Sequence, residues 1–386
     1  MKIKVKLGKE IIQQSSEIQN NEWIDETIKL WNSIPKPVKE QFQEDYAVAA
    51  AQRIKELSNC VDFKSKRKLL TLQGIFNDNS INCPISEQFQ DTFLKTGFMR
   101  QELYVLSGIS GGGKTALGIL ITAVLCGGYN SFLSNPTLKK VPVIYVSLEQ
   151  TKTQIKARLI ATLYSLFTQK NMNYTEILNG GNFQHDDFNL AFYLLEMCRQ
   201  NLKIIDKSDF NFETPDVFQL KEKLEPIIDD YNSNCLLIVD RYENIIGSKD
   251  YQSDAVAREL KSLAEKNNIP ILLQAQLNKS SIASGKKADG GLDYNKLSAN
   301  SLKGTSGLEH HSTNVIIIVP EGRTRIIDGQ EEKLVRLIQP KSRYGANNSI
   351  LLYFRGGNNL FFDYIENRGR KKKEEIKHEK PETDNA

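Results

Sequence analysis

A run of glycines followed by lysine and threonine has the composition and spacing of a phosphate-binding loop. The run reads GISGGGKT at 108–115, follows the apolar stretch LYVLS and precedes the helical pattern ALGILITAVL. Glycines let backbone N–H groups turn inward around a phosphate, lysine reaches the β- and γ-phosphates, and a threonine hydroxyl can bind Mg²⁺. The sequence therefore predicts a nucleotide site, with a helix N-terminus facing the phosphates. Its predicted ligands are Gly108, Gly111, Gly112, Gly113, Lys114 and Thr115.

Two acidic residues follow apolar stretches elsewhere in the chain. Asp240 ends CLLIVD, and Glu149 comes directly after VIYVSL. Ligands of parallel sheets bind at the carboxyl ends of the strands, so Asp240 is a candidate for holding Mg²⁺. Glu149 is a candidate general base for an attacking water. The alternatives are a turn-capping role for Asp240 and, for Glu149, a carboxylate favoured by the dipole of the following helix.

Short apolar runs alternate with helix-length patterns between residues 84 and 319. These runs are LYVLS (103–107), VPVIYVSL (141–148), LKII (202–205), CLLIVD (235–240), IPILLQAQL (269–277) and NVIIIV (314–319). Such alternation predicts an α/β fold whose mostly parallel sheet is covered by helices on both faces. After residue 319, the stretches KLVRLIQ, SILLYF and NLFFDY are separated by short Gly/Asn turns, which predicts antiparallel additions.

The two ends of the chain differ from this α/β region, which we assign to residues 84–364. Residues 1–80 carry apolar side chains at helical spacing and predict a small all-helical N-terminal region and linker. Residues 365–386 are charged and nearly devoid of apolar side chains, so we expect a disordered charged tail.

The composition argues against several classes of protein. The net charge of +4 over 386 residues is small, so affinity for nucleic acid must come from local basic patches. The five cysteines form no Cys-x-x-Cys pair, which argues against a disulfide framework or a zinc site. The longest apolar run, at 116–126, is too short to span a bilayer. The first residues lack a signal-peptide pattern, so we expect a cytoplasmic protein without a membrane partner.

Several segments together resemble the motor domain of DnaB-type replicative hexameric helicases, which belong to the RecA-like ATPases. The first two matching segments along the chain are TGFMRQELYVLSGISGGGKTALGI and VIYVSLEQTKTQIKARLIA. The matches that follow in order are CLLIVD, DAVARELKSLAEKNNIPILLQAQLNKS, LKGTSGLEHHSTNVIIIV and LVRLIQPKSRYGANNSILLYF. The resemblance covers roughly residues 84–364. It implies a RecA-like P-loop ATPase core with a C-terminal antiparallel hairpin, using ATP and Mg²⁺ as cofactors.

The resemblance also implies roles for individual residues. Glu149 matches the catalytic glutamate, which joins Lys114 of the phosphate loop as a predicted catalytic residue. Gln276 matches a γ-phosphate sensor that couples hydrolysis to the DNA loops. Lys341 and Arg343, in PKSRYG, match a pair that reaches the ATP of the neighbouring subunit. A guanidinium supplied in this way stabilises charge on the transferring phosphoryl group. The implied assembly is a homo-oligomer, namely a hexameric ring with ATP at its subunit interfaces.

The segment 278–307 is polar, rich in Gly and Ser, and basic, and we expect it to be a long structureless loop. Long loops within compact domains are usually functional. Its lysines are candidates for sequence-independent contacts with the backbone of single-stranded DNA. They are Lys279, Lys286, Lys287, Lys296 and Lys303. The alternative is a mobile surface loop without a ligand.

Three hypotheses for function follow. The first is an ATP-dependent, ring-forming DNA helicase or translocase that acts on single-stranded DNA in replication, with a replication partner bound through residues 1–80. The departures from the family, such as RYENII after Asp240, favour a plasmid or phage setting. The second is a recombination ATPase of the RecA/RadA type that forms filaments. The third is a nucleotide-switched binding module without unwinding activity.

Overall fold

The structure is a computed structural model, and most of the predicted α/β region falls within the residues that it describes. The described residues are 80–81, 85, 89, 93, 97–129, 140–181, 185–248, 252–285, 292–302, 305–343, 348–364 and 377–378. The predicted helical N-terminal region lies outside them apart from residue 80, as does the predicted tail apart from residues 377–378.

Two sheets are formed by the described residues. The strands are β1 (Ser80–Ile81), β2 (Phe98–Met99), β3 (Leu103–Gly108), β4 (Val143–Ser147), β5 (Leu202–Asp206), β6 (Leu236–Asp240), β7 (Ile271–Gln276), β8 (Asn314–Ile327), β9 (Gln330–Ser342), β10 (Ser349–Arg355), β11 (Leu360–Asp363) and β12 (Lys377–His378). β1 and β2 pair with each other, and the other strands form one mixed sheet.

Helices connect the parallel strands of this mixed sheet. They are α1 (Lys114–Gly127), α2 (Lys152–Thr168), α3 (Tyr174–Leu178), α4 (His185–Cys198), α5 (Val217–Asp230), α6 (Ser253–Lys266), α7 (Lys279–Gly285) and α8 (Thr305–His311). Local chemistry defines the start of α2, because Thr151 and Gln154 form a reciprocal capping box. Gly128 ends α1 with a left-handed backbone at φ 67°.

The strand order of the mixed sheet is β11-β10-β9-β8-β3-β7-β6-β4-β5, and β12 pairs with β8. The strands from β8 to β5 are mutually parallel, whereas β9, β10, β11 and β12 join in antiparallel pairs. This arrangement confirms the predicted parallel core with antiparallel additions at its C-terminal side.

The central strands are buried on both faces, which explains their continuous apolar sequences. In β4, Val143 and Tyr145 belong to a core shared with α1, α2 and α4. Ile144 and Val146 belong to the opposite core, which is shared with α5 and α6. Two helical layers therefore hold the sheet rigidly, so that the positions of its strand ends are well defined.

Two expectations were wrong in detail. β8 continues to Ile327 instead of stopping near Val319, because its second half pairs with β9 after an irregularity between Pro320 and Thr324. The segment 278–307 is not structureless, since its described residues include α7 and short helical turns at 294–296 and 299–301. An isolated bridge between Leu277 and Leu302 closes the base of this segment.

Candidate nucleotide site

The glycine-rich loop connects the carboxyl end of β3 to the first turn of α1, as the sequence predicted. Gly113 lies immediately before α1 with φ 102°, a conformation that residues with side chains rarely adopt. A Cβ at Gly113 would lie 3.3 Å from ring atoms of both Phe354 and Phe361. The loop is thus closely packed on its outer side by the C-terminal antiparallel strands, which fixes the path of its backbone.

Lys114 lies within this loop and is almost completely buried. Its Nζ donates hydrogen bonds of 2.8 Å to the carbonyl oxygens of Gly108 and Ile109. Burial, and then the positive charge of Arg241, lower the pKa of Lys114 to about 8. The ammonium is therefore held in the loop at a considerable electrostatic cost, which a bound phosphate would offset.

Thr115 and Asp240 meet beside the loop, although they lie far apart in the sequence. The Thr115 Oγ1 donates to Asp240 Oδ2 at 2.8 Å, and the Tyr145 hydroxyl donates to the same oxygen at 3.1 Å. Asp240 is only 2% exposed, and burial raises its pKa while these two hydrogen bonds lower it. A hydroxyl and a carboxylate beside a phosphate loop are oxygen ligands of the kind that Mg²⁺ binds together with phosphates. Thr115 and Asp240 therefore have the chemistry needed to hold Mg²⁺ at this site.

Glu149 and Gln276 flank Asp240, because β6 lies between β4 and β7 in the sheet. Glu149 follows β4, and Gln276 is the last residue of β7. The structure thus brings Lys114, Thr115, Asp240, Glu149 and Gln276 to the same edge of the sheet. Their catalytic roles stay predictions.

Lys341 and Arg343 lie at the opposite edge of the sheet, where the parallel strands begin. Ser342, between them, pairs with Asn314 at the start of β8, and Asn314 pairs with Tyr104 near the start of β3. Lys341 Nζ donates to the carbonyl oxygen of Glu309, and burial lowers its pKa. Arg343 Nη2 donates to the carbonyl oxygen of His310 at 3.4 Å. The pair thus contacts the C-terminal end of α8 and not the loop of its own chain.

Lys279 is exposed at the start of α7, three residues after Gln276, the last residue of β7. Lys296 donates to the carbonyl oxygen of Ser284 at 3.2 Å, which joins one of the short helical turns to α7. The other predicted DNA-contacting residues, Lys286, Lys287 and Lys303, lie outside the described residues.

Three residues at this edge were missed as site residues. Arg241 forms an ion pair with Glu149, Glu243 accepts a hydrogen bond from Gln276, and Tyr145 binds Asp240. The unusual RYENII after Asp240 was a signal for the first two, because charged residues rarely follow a buried strand directly without a partner. Tyr145 gave no signal, since it read as one apolar residue of a strand.

The fold and the loop geometry define a RecA-like P-loop nucleotide-binding protein. A family model described as the DnaB-like helicase C terminal domain matches residues 87–363. The chain belongs to this family.

Similar proteins include replicative helicases. The chain is 21% identical over 281 residues to a probable replicative DNA helicase of Trieres chinensis, covering 70% of this chain and 55% of that protein. It is 24% identical over 292 residues to the replicative DNA helicase DnaB of Buchnera aphidicola subsp. Baizongia pistaciae (strain Bp), covering 74% and 56%. The chain thus spans about half the length of the curated relatives that it matches.

Two solved structures share the fold. One, described as an ATPase domain, aligns with a TM-score of 0.56 at 17% identity, covering 79% of this chain and 100% of that one. A DnaB-like replicative helicase, described with its interactions with primase, aligns with a TM-score of 0.56 at 18% identity and covers 86% and 78%. Within the described ranges, no helix is long and apolar enough to cross a membrane.

Proposed function

We propose that this protein is an ATP-dependent, ring-forming helicase or translocase that acts on single-stranded DNA during replication, including that of a plasmid or phage. It uses ATP and Mg²⁺, works in the cytoplasm, and assembles as a homo-oligomer, namely a hexameric ring. The proposal extends the family membership to the activity of the whole chain. Residues 84–364 form its motor, and residues 1–80 bind a replication partner.

One observation carries the proposal. The carboxyl ends of β3, β6, β4 and β7 present, side by side, the residue types that nucleotide hydrolysis requires. Lys114 and the loop amides bind the phosphates, while Thr115 and Asp240 hold the magnesium ion. Glu149 orients the attacking water, and its exposed carboxylate leaves room for that water beside the nucleotide.

The position of Lys341 and Arg343 supports their action on a neighbouring subunit. Four residue steps along β3 separate the level of Tyr104 from that of Gly108, which corresponds to about 13 Å along the strand at about 3.3 Å per residue. Two strand spacings separate β9 from β3 as well. Because their own phosphate loop lies beyond reach at the other edge, these cations serve the ATP of the next subunit in the ring.

Gln276 connects the nucleotide site to residues 278–307, the candidate DNA-binding segment of the protein, which we call the DNA segment. It does so by its position in the chain. The next residue, Leu277, forms the bridge to Leu302 at the base of the segment, and the Asn278 N–H donates to the Ser301 carbonyl at 2.8 Å. A displacement of Gln276 on hydrolysis is thereby transmitted to Lys279 and the following residues, which track the DNA backbone.

ATP hydrolysis by the Lys114→Ala variant tests the site assignment. We expect hydrolysis stimulated by single-stranded DNA in the natural protein and loss of at least about a hundredfold of this rate in the variant. Lys203→Ala, at an exposed position on β5, is the matched control and retains the rate. A Lys114→Ala protein with full stimulated hydrolysis would show that the loop is not the active site.

Mixing variants tests the action of Arg343 across subunits. Arg343→Ala subunits mixed with Lys114→Ala subunits form some interfaces at which both residues are intact, so part of the activity returns. Mixed rings without any recovery, after exchange of subunits has been verified, contradict the proposal.

Electron microscopy distinguishes the helicase from the recombination ATPase, since closed rings favour the helicase and open filaments favour a strand-exchange protein.

A further inference from the structure

The side chain of Arg241 lies across three strand ends of the candidate site. It follows Asp240 on β6, and its Nη2 contacts both carboxylate oxygens of Glu149, at 3.0 and 2.9 Å. On the other side, the side-chain amide of Gln276 lies 3.0 Å from Nη2 and 3.2 Å from Nη1 of Arg241, and its oxygen accepts from both nitrogens in the amide orientation that satisfies these two donors. One guanidinium thus joins the candidate base after β4 to the candidate sensor at the end of β7.

The backbone that carries Arg241 is anchored to the same two elements. Glu243 is buried, and its Oε1 accepts a hydrogen bond of 2.5 Å from the backbone N–H of Gln276. The Asn244 amide donates to the carbonyl oxygen of Leu148 at 2.9 Å, next to Glu149. The segment 241–244 therefore connects β4 and β7 through its side chains, and movement at one strand end acts on the other.

We propose that Arg241 is a positioning residue that ties Glu149 to Gln276, so that displacement of the DNA segment changes the orientation of the base. This inference rests on the proposed function and deepens it. A planar guanidinium can bind two acceptors at once, whereas an ammonium has no such fork. The role therefore requires arginine and not merely a positive charge.

A second consequence is electrostatic. Arg241 compensates the negative charge of Glu149 at the place where the terminal phosphate of a nucleotide would arrive. Without Arg241, this carboxylate would repel a triphosphate more than a diphosphate, because only the triphosphate brings its charge close to Glu149. The ratio of the affinity for triphosphate to the affinity for diphosphate therefore measures the effect of the Arg241–Glu149 pair, and its measurement requires no ATP hydrolysis.

Nucleotide binding by the full chain gives the first test. We expect Arg241→Gln to lower the affinity ratio of a non-hydrolysable ATP analogue to ADP by about fivefold to tenfold, as for a partly exposed charge pair. Adding Glu149→Gln to this variant restores the ratio, because the uncompensated charge is gone. An unchanged ratio in Arg241→Gln, or a double variant no better than the single one, overturns the inference.

Stimulation of hydrolysis by single-stranded DNA gives the second test. In Arg241→Gln, we expect the ratio of stimulated to unstimulated kcat to fall to about two or less, with the KM for ATP within about threefold of its natural value. Arg241→Lys restores the binding ratio but not the stimulation. Full stimulation in Arg241→Gln, or its recovery in Arg241→Lys, shows that bridging is not the role.

A matched control variant and the natural protein distinguish a failure of this inference from a failure of the proposed function. Arg199→Gln removes an exposed arginine that pairs with Glu196 at the end of α4, and it leaves both ratios unchanged. If the natural protein hydrolyses no ATP with or without DNA, the proposed function fails. The binding cycle of Arg241 and Glu149 still decides the inference about their pairing in that case.

Discussion

Raising the pH should weaken triphosphate binding through the titration of Lys114. In the nucleotide-free protein, burial and the nearby Arg241 lower the pKa of this lysine from 10.5 to about 8. At about 1.4 kcal/mol per pKa unit, this difference corresponds to about 3 kcal/mol by which the site disfavours the ammonium. A bound triphosphate surrounds the ammonium with negative charge and returns its pKa toward the ordinary value.

The affinity should therefore fall as the free protein loses this proton. One unit above the free-state pKa, near pH 9, about one lysine in eleven is still charged, so the affinity is about tenfold weaker than near pH 7. The same shift makes the free energy of unfolding rise with pH between about 8 and about 10.5. In that window the unfolded chain still holds a proton that the folded protein has lost.

Equilibrium binding of a fluorescent, non-hydrolysable ATP analogue, measured from about pH 7 to about pH 9.5 at constant ionic strength, checks this prediction. Lys114→Met is the control, because it lacks the titrating group and should bind weakly with little further loss above about pH 8. Thermal melting at each pH verifies that both proteins are folded. An affinity that stays constant to about pH 9.5, or an equal loss in Lys114→Met, would show that the titration of Lys114 does not control triphosphate binding.

Three further substitutions have definite expected outcomes. Asp240→Asn should weaken binding of Mg²⁺–ATP about tenfold or more but leave metal-free binding nearly unchanged, because Asp240 and Thr115 are the proposed ligands of the cation. Titration calorimetry with and without chelator would show this difference. Gly118→Ala should lower the free energy of unfolding by about 1–3 kcal/mol, because the added Cβ would overlap the buried Gln274 amide. Urea unfolding measures this change, and an unchanged midpoint of the urea transition would contradict it. Arg158→Lys should lower the melting temperature by several degrees, because Arg158 bonds three side chains on different elements through its planar fork.

The elements of the fold could be predicted because each signal is local. The apolar runs that became β3, β4 and β6 are continuous, and burial on both faces of a parallel sheet leaves such runs no other environment. The loop at 108–115 could be predicted for the same reason, since its glycines, lysine and threonine are adjacent in the chain. Asp240 was found because a charged residue ends an otherwise apolar strand.

The contacts between strand ends could not be predicted in this way. The pairing of Arg241 with Glu149 depends on β6 lying between β4 and β7, and strand order is not encoded in any one segment. The length of β8 was missed because charged residues alternate with uncharged ones from 321 to 326, and this stretch becomes a strand only through pairing with β9. Pairing partners, not propensity, decide such segments.

The proposed function is tested most directly by ATP hydrolysis by the full chain, with and without single-stranded DNA, together with a mass measurement of the active species. We expect hydrolysis to be stimulated by the DNA and to belong to an assembly of several subunits, because we propose that Lys341 and Arg343 serve the ATP of a neighbouring subunit. A monomer that hydrolyses ATP at full rate, unaffected by DNA, would contradict this expectation.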